Sequence, residues 1–108
     1  MNQLKLSLRC ADAPRILREE NGIPTFVTVF AIHNPFKRNK APENAIPITV
    51  KASRELAPEL AGNLSKGTAF TVEGQLSYFR NPETRRESFS IWADKIVDVI
   101  PPKTREPS

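Results

Sequence analysis

The sequence predicts a small all-β barrel of five main strands, with one short helix between the third and the fourth. Apolar and polar residues alternate with period two along most of the chain, as they do in half-buried strands. Ten prolines against four glycines favour short segments joined by stiff turns. The 108 residues suffice for one domain. We expect this domain to span residues 1–100, followed by a short polar tail over 101–108.

The first half of the chain predicts three strand segments. Leucines alternate with polar residues over 4–10, which indicates a half-buried strand. Asn21-Gly22 is the strongest hairpin signal in the sequence and joins a short strand at Arg15–Arg18 to the run Thr25–His33. That run is apolar on both faces. We therefore expect a central strand whose second side contacts another subunit or serves as a binding surface.

The second half predicts one helix among strands. Leucines recur at helical spacing from 56 to 64. Pro58 falls in the first turn, where proline is tolerated, and Lys66-Gly67 predicts the helix end. The predicted elements are a strand over Ala45–Ala52, a helix starting near Glu55, and strands over Thr68–Phe79 and Ser88–Val99 joined by the loop Arg80–Glu87.

This order of elements is that of the OB-fold, a Greek-key barrel whose outer face binds oligonucleotides and oligosaccharides. A small barrel of another type or an SH3-like fold has a similar strand content. The position of the helix favours the OB-fold.

Composition argues against catalysis and metal binding. Cys10 is the single cysteine and His33 the single histidine, so an internal disulfide framework or a His/Cys zinc cluster is excluded. The carboxylates are scattered and no Gly-rich phosphate loop occurs, so we expect no enzyme activity and no cofactor. No signal peptide or apolar span of about 20 residues is seen, so we expect no membrane association and a reducing compartment. The net charge of +4 permits an acidic partner such as nucleic acid without requiring one.

A polar loop over residues 34–44 joins an aromatic residue to positive charges. Phe36 is followed by Lys37, Arg38 and Lys40, which together would form a stacking platform beside a phosphate clamp. The alternative is a solvated loop with Phe36 packed against the barrel. The predicted strand order favours the first interpretation.

The last hairpin is a second candidate site. Arg80, Arg85 and Arg86 would follow a phosphate backbone there, although exposed charges in tight loops also serve solubility. Phe79 lies on the polar face of its strand, where an aromatic side chain suits a ligand better than the core. Lys51 would extend the basic track.

Trp92 points away from the apolar face of its strand. It would either stack a base or fill a subunit contact, and the subunit contact is the preferred interpretation. Leu4 and Leu6 are candidates for the same oligomer interface. Phe26 and Phe30 share one face of the central strand, but alternation does not decide whether that face points inward.

Three groups of residues occur in a recognisable order: Asp12-Ala13-Pro14-Arg15 followed by Asn21-Gly22; Leu56–Gly67 leading into Phe70-Thr71-Val72-Glu73-Gly74-Gln75-Leu76; and Ile91-Trp92-Ala93-Asp94-Lys95-Ile96. This pattern resembles the bacterial-type single-stranded-DNA-binding proteins, whose recognisable block is an L-x-K-G element leading into V-x-G-x-L. The resemblance spans roughly residues 2–100, and most of its specificity lies in residues 67–96.

The resemblance implies an OB-fold protein that binds single-stranded DNA, or RNA, as a homodimer or homotetramer, with replication or repair proteins as further partners. The implied location is the cytoplasm, at the nucleoid, or an organelle in a plastid-bearing host. The family's stacking residue at the end of the second strand falls at Phe36. Its third-strand aromatics fall in Ile46–Ser53, where this chain offers only isoleucines and Lys51 as bulky side chains. Its hairpin aromatic falls near Asn81, just after Phe79.

Two hypotheses follow. In the first, the protein binds single-stranded DNA with little sequence preference, stacking bases on Phe36 and Phe79. The residues that bind phosphates would be Lys37, Arg38, Lys40, Lys51, Arg80, Arg85 and Arg86. In the second, an OB-fold of the same descent is a protein-interaction module with weak nucleic-acid binding. The loss of stacking aromatics and the moderate charge favour the second, but the order of elements and the resemblance make the first the preferred hypothesis.

Overall fold

A computed structural model of the chain describes residues 3–33 and 46–102. Strands dominate these ranges, as the period-two alternation predicted. The elements are β1 (Gln3–Cys10), β2 (Arg15–Glu20), β3 (Ile23–His33), β4 (Ile46–Ser53), α1 (Leu56–Asn63), β5 (Ala69–Arg80) and β6 (Glu87–Ile100).

Five of the strands close into a ring. Neighbours run in the order β1-β5-β6-β4-β3, and β3 pairs again with β1 at Arg9↔Ile32 and Cys10↔Ala31. The strand pairs of this closed ring are antiparallel except β4–β6, which is parallel. β2 pairs with β3 and adds a strand beside the ring. The predicted OB-fold is confirmed, with the helix between the third and fourth ring strands.

Alternate side chains of the ring fill a single core. Val27, Val29 and Ala31 of β3 are fully buried, so Phe26 and Phe30 on the other face of that strand point outward. Burying an aliphatic side chain of this size stabilises the fold by about 1.5–3 kcal/mol. The buried residues contributed by the other elements are Leu8, Cys10, Ile48, Val50, Ala52, Ala57, Leu60, Leu64, Phe70, Val72, Ile91 and Ile96.

The helix α1 is shorter than its sequence predicted. Pro58 lies in its first turn as expected, but the helix ends at Asn63, so the predicted end at Lys66-Gly67 is wrong. The backbone is already extended at Leu64, whose side chain packs into the core. Gly67, with φ of +91°, belongs to the turn before β5, and its N–H donates to the Cys10 carbonyl oxygen at 2.9 Å. In residues 3–33 and 46–102, no helix has the length and apolar character to cross a membrane.

The hairpin of β5 and β6 reaches beyond the described ends of its neighbours. Its pairing continues to Arg80↔Glu87, whereas the register of β1 with β5 ends at Gln75 and that of β4 with β6 ends at Ser90. We call residues 76–89 the arm. Because the arm lies outside the core, its aromatic side chains, Tyr78, Phe79 and Phe89, are exposed.

Candidate nucleic-acid interface

The outer surface of β3, β4 and β6 forms one continuous patch of sheet. Cross-strand register places Thr28, Lys51 and Trp92 in one row. Phe26 and Phe30 lie on β3, two residues to either side of Thr28, on the same surface because side chains alternate along a strand. We call this patch the aromatic face; it consists of Phe26, Thr28, Phe30, Thr49, Lys51, Ser53 and Trp92.

Two aromatic rings stack at the centre of this face. The ring centroids of Phe26 and Trp92 are 5.8 Å apart, with 12° between the ring planes. The two residues lie on strands separated by β4. Phe26 pairs with Ser53 of β4, whose small side chain leaves room for the rings to meet above that strand. The Lys51 ammonium nitrogen lies 5.6 Å from the Trp92 ring centroid, within reach of a cation–π interaction.

The aromatic face is accessible to solvent. Trp92 exposes 41% of its surface and Phe30 exposes 50%. Beside the stacked pair is a shallow cavity of about 370 Å³, lined by Arg18, Glu20, Thr25, Phe26, Ser53 and Trp92. Arg18 comes from β2 and pairs with Phe26 in the register. Aromatic rings, a lysine and an arginine therefore share one open surface, which suits a ligand with both apolar faces and negative charge.

The arm continues this surface along β5. Gln75 pairs with Trp92, and Ser77 and Phe79 follow on the same side of the strand. Phe79 is 58% exposed. Tyr78 and Phe89 form a second ring pair, with centroids 5.4 Å apart. This pair lies on the opposite side of the arm, because adjacent residues of a strand point to opposite faces.

The tip of the arm is a fixed turn that presents arginines. The Asn81 side-chain oxygen accepts the N–H of Glu83 at 2.9 Å and that of Thr84 at 3.3 Å. The Arg85 N–H donates to the Asn81 carbonyl oxygen, and the Asn81 N–H donates to the Arg86 carbonyl oxygen. Arg80, Arg85 and Arg86 are exposed around this turn. Arg85 and Arg86 lie in the turn beyond the last strand pair, whereas Arg80 follows Phe79 directly and, by alternation along the strand, lies on the Tyr78 side of the arm.

Solved structures share this architecture. A small single-stranded DNA-binding protein from Streptomyces coelicolor matches with a TM-score of 0.68 and 24% identity, over 88% of this chain and 91% of that one. The chain has the OB-fold of the single-stranded DNA-binding proteins. The SSB domain of a Synechococcus sp. protein shows the same fold, with a TM-score of 0.61 and 16% identity over 89% of this chain and 93% of that one.

A third match is longer than this chain. The single-stranded DNA-binding protein from Thermus aquaticus matches all of this chain, with a TM-score of 0.63 and 25% identity, but this chain covers only 43% of it. No protein-family model and no curated protein sequence matches the chain. Two of these structures are named as single-stranded DNA-binding proteins and one as an SSB domain, in agreement with the expectation that this protein is not an enzyme.

The OB-fold brings part of the predicted site together. Lys51 lies at the centre of the aromatic face, and Phe79 extends the same surface along the arm. Arg80, Arg85 and Arg86 cluster at the arm's tip. Phe36, Lys37, Arg38 and Lys40 lie outside the described residues, and their role stays a prediction.

The residues predicted for an oligomer interface occupy two different environments. Leu4 and Leu6 are partly buried and pack against the core of the OB-fold barrel. Trp92 lies outward, as alternation predicted, but its neighbours are Phe26 and Lys51 of the same chain. The subunit contact and the base stacking of Trp92 both stay predictions.

The combination of Phe26, Phe30 and Trp92 was not predicted from the sequence. Phe26 and Trp92 are 66 positions apart, and their contact depends on the register of three strands, including the parallel pair β4–β6. One signal was present in the sequence. The central strand carries aromatic residues on one face and small aliphatic residues on the other. Because the interior of a small barrel is narrow, this pattern predicts that the small aliphatic side chains point inward and the aromatic side chains point outward.

Two side chains in the described part of the chain have a clearly raised pKa. Burial raises the pKa of the Cys10 thiol to about 11, so the thiol is neutral and unreactive at neutral pH. Desolvation, followed by the hydrogen bond and negative charge of Glu87, raises the pKa of Tyr78. Neither group lies on the aromatic face. Within the described ranges no cluster of His, Cys, Asp and Glu is arranged to hold a metal ion.

Proposed function

We propose that this protein binds single-stranded DNA with little sequence preference, in replication, recombination or repair, and that the aromatic face is the binding surface. The observation that carries this proposal is the stacked Phe26–Trp92 pair beside the Lys51 ammonium group on an open sheet surface. The OB-fold shared with proteins named for single-stranded DNA binding supports it.

The aromatic rings suit unpaired bases. Every base has an apolar π face, so stacking is tolerant of sequence and contributes about 1–3 kcal/mol per base. Trp92 and Phe30 are exposed enough to accept such contacts. In a duplex the base faces are covered by their neighbours, so this surface favours single strands.

The basic residues suit the phosphates of the same strand. Lys51 lies beside the Trp92 ring, Arg18 pairs with Phe26 in the register, and Arg85 and Arg86 lie in the turn at the end of the arm that carries Phe79. A strand that follows this path alternates base contacts with phosphate contacts. Each phosphate neutralised releases counterions, so affinity falls as salt concentration rises. We propose that Phe36, Lys37, Arg38 and Lys40 contribute further contacts of the same kind.

We also propose that the protein is a homodimer or homotetramer. Among residues 3–33 and 46–102, β1 pairs with β5 from Gln3 to Arg9, but on its other edge the pairing with β3 covers only Arg9 and Cys10. An incompletely paired strand edge favours pairing with another chain. Light scattering combined with size-exclusion chromatography measures the oligomer number, and a monomer at micromolar concentration would contradict this proposal.

Fluorescence anisotropy of a labelled oligo-dT tests the DNA-binding proposal, with titrations at low and moderate salt and unlabelled duplex as competitor. We expect binding that persists at moderate salt and resists the duplex. The matched variants are Trp92→Ala and Phe89→Ala, because these side chains are 41% and 40% exposed on different surfaces. Only Trp92→Ala should weaken binding. Equal competition by duplex, or equal effects of both variants, would contradict the proposal.

The protein-interaction module remains the second candidate function. One observation favours this second function: the outward side chains of β4, which are Thr49, Lys51 and Ser53, include no aromatic ring on which a base could stack. Under this alternative, binding to oligo-dT is seen at low salt only and is lost equally to duplex. The same titration therefore separates the two candidates.

A further inference from the structure

Gly74 lies where the backbones of β5 and β6 come unusually close. A Cβ atom at this position would collide with the carbonyl oxygen of Trp92. It would also lie 3.0 Å from the Trp92 carbonyl carbon and 3.1 Å from the Ala93 Cα. These neighbours are backbone atoms, which cannot rotate away as the end of a flexible side chain can. Only glycine at position 74 therefore permits the observed path of the Trp92 backbone.

The same place holds an irregularity in strand pairing. Glu73 pairs with Lys95, whereas the next residue, Gly74, pairs with Ala93, so Asp94 is an extra residue on β6. Such a bulge bends its strand and redirects the neighbouring side chains. Its effect is visible in burial. Ile91 and Ile96 are both buried although five residues apart, which a regular strand would place on opposite faces.

Glycine and bulge together determine the direction of the Trp92 side chain. The Trp92 carbonyl lies against Gly74 on the β5 side, while the Trp92 ring reaches over β4 to stack on Phe26. Moving the β6 backbone away from β5 would push Trp92 toward β4. Because the stack spans two strand spacings, a small shift at the backbone changes the overlap of the rings.

We propose that Gly74 and the bulge at Asp94 are positioning elements that hold Trp92 against Phe26 and so preassemble the base platform. Gly74 touches neither base nor phosphate and acts through Trp92. The effect on DNA rests on the proposed function, whereas the effect on the ring pair in the free protein does not.

The first test compares Gly74→Ala with Gly62→Ala. The control is matched because a Cβ at Gly62, in α1, meets no atom within 4 Å. Trp92 is the only tryptophan, so the tryptophan band of the near-ultraviolet circular dichroism spectrum reports on its surroundings alone. We expect Gly74→Ala to lose about half or more of this band while the far-ultraviolet spectrum is kept, and Gly62→Ala to change neither. An unchanged tryptophan band in folded Gly74→Ala would overturn the proposal.

The second test places both changes in a double-mutant cycle on oligo-dT affinity. Loss of a stacking contact worth about 1–3 kcal/mol corresponds to roughly 5- to 150-fold in affinity. We expect Gly74→Ala to weaken binding about tenfold, within that range. In the Trp92→Ala background we expect less than about a twofold effect, because the residue through which Gly74 acts is absent. An equal effect in both backgrounds would overturn the proposal in favour of general destabilisation.

If Gly74→Ala does not fold, Asp94→Gly provides the test. It loosens the bulge without adding an atom, and Asp98→Gly is the control because Asp98 already has φ of +52° on the same strand. We expect a weaker tryptophan band in Asp94→Gly only; equal spectra for both would overturn the proposal. Failure of the wild type to bind oligo-dT would instead refute the proposed function, and the spectra would still decide the positioning role.

Discussion

The aromatic face and the outer surface of β1 and β5 belong to the same closed sheet and cover the same core, yet their side chains differ. We call the second surface the charged face; it consists of Lys5, Ser7, Arg9, Glu73 and Lys95, the last from β6. Register places Glu73 between Lys5 and Lys95. The hydroxyl oxygens of Ser7 and Thr71 lie 3.4 Å apart. This side of the barrel meets water with ions and hydroxyl groups.

The charged face indicates which outer side chains the barrel itself requires. Charged and hydroxyl side chains suffice on the outside of a sheet whose inner side packs the core. The exposed Phe30 and the stacked Phe26 and Trp92 are therefore not explained by stability of the barrel, and exposed apolar patches on a folded protein mark interaction sites.

The largest effect is expected from removing the ring pair. Phe26→Ala combined with Trp92→Ala should weaken oligo-dT binding by roughly 5- to 150-fold for one lost base platform. Because the two rings contact each other, the combined effect should differ from the product of the single effects. Anisotropy titration measures all three variants. The pair Lys5→Ala and Lys95→Ala on the charged face should leave affinity within about twofold, and a matching loss there would remove the distinction between the faces.

A smaller loss is expected from Phe30→Ala. Phe30 is half exposed and lies in the row next to that of Trp92, so it offers a single ring to one base. The expected loss is about fivefold, at the low end of the range for one stacking contact. Tyr78 is the matched control, at 51% exposure on the other side of the arm. A larger loss for Tyr78→Ala than for Phe30→Ala would show that the bases contact the other side of the arm and not the aromatic face.

Salt dependence distinguishes lysines on the two faces. Lys51→Ala should reduce the magnitude of the slope of log affinity against log salt by about 0.7, the value for one phosphate contact on a single strand. Lys95→Ala should not change the slope. The measurement is a series of oligo-dT titrations between low and moderate salt. Equal slopes for wild type and Lys51→Ala would show that Lys51 contacts no phosphate.

The smallest effect concerns the core that both faces share. Burial raises the pKa of Cys10 from 9.0 to about 11 in the folded protein. Below pH 9 the thiol is protonated in both the folded and the unfolded state, so its contribution to the free energy of unfolding is fully present. Between pH 9 and 11 the unfolded chain releases this proton first, so stability is lost there. Denaturant unfolding should show less loss in Cys10→Ala than in wild type over this range, with DNA affinity unchanged; parallel curves would refute this assignment.

The strand order and the side on which Trp92 lies could be predicted, because each depends on local alternation and turn residues. Asn21-Gly22 and the leucines of α1 are signals of this kind. The Phe26–Trp92 contact could not be predicted, because it follows from long-range register and from the extra residue Asp94 in β6. The end of α1 was misplaced for a similar reason. Gly67 serves a turn tied to Cys10 of β1, a contact that helical spacing does not reveal.

The emission of Trp92 tests the central claim most directly. Trp92 is the only tryptophan and lies at the centre of the aromatic face. We predict that oligo-dT added at moderate salt changes the emission of Trp92 until the change saturates. The midpoint of this change should equal the midpoint of the anisotropy titration, and added duplex should not reverse it. Saturable oligo-dT binding that leaves the emission of Trp92 unaltered would contradict the assignment of this face as the base platform.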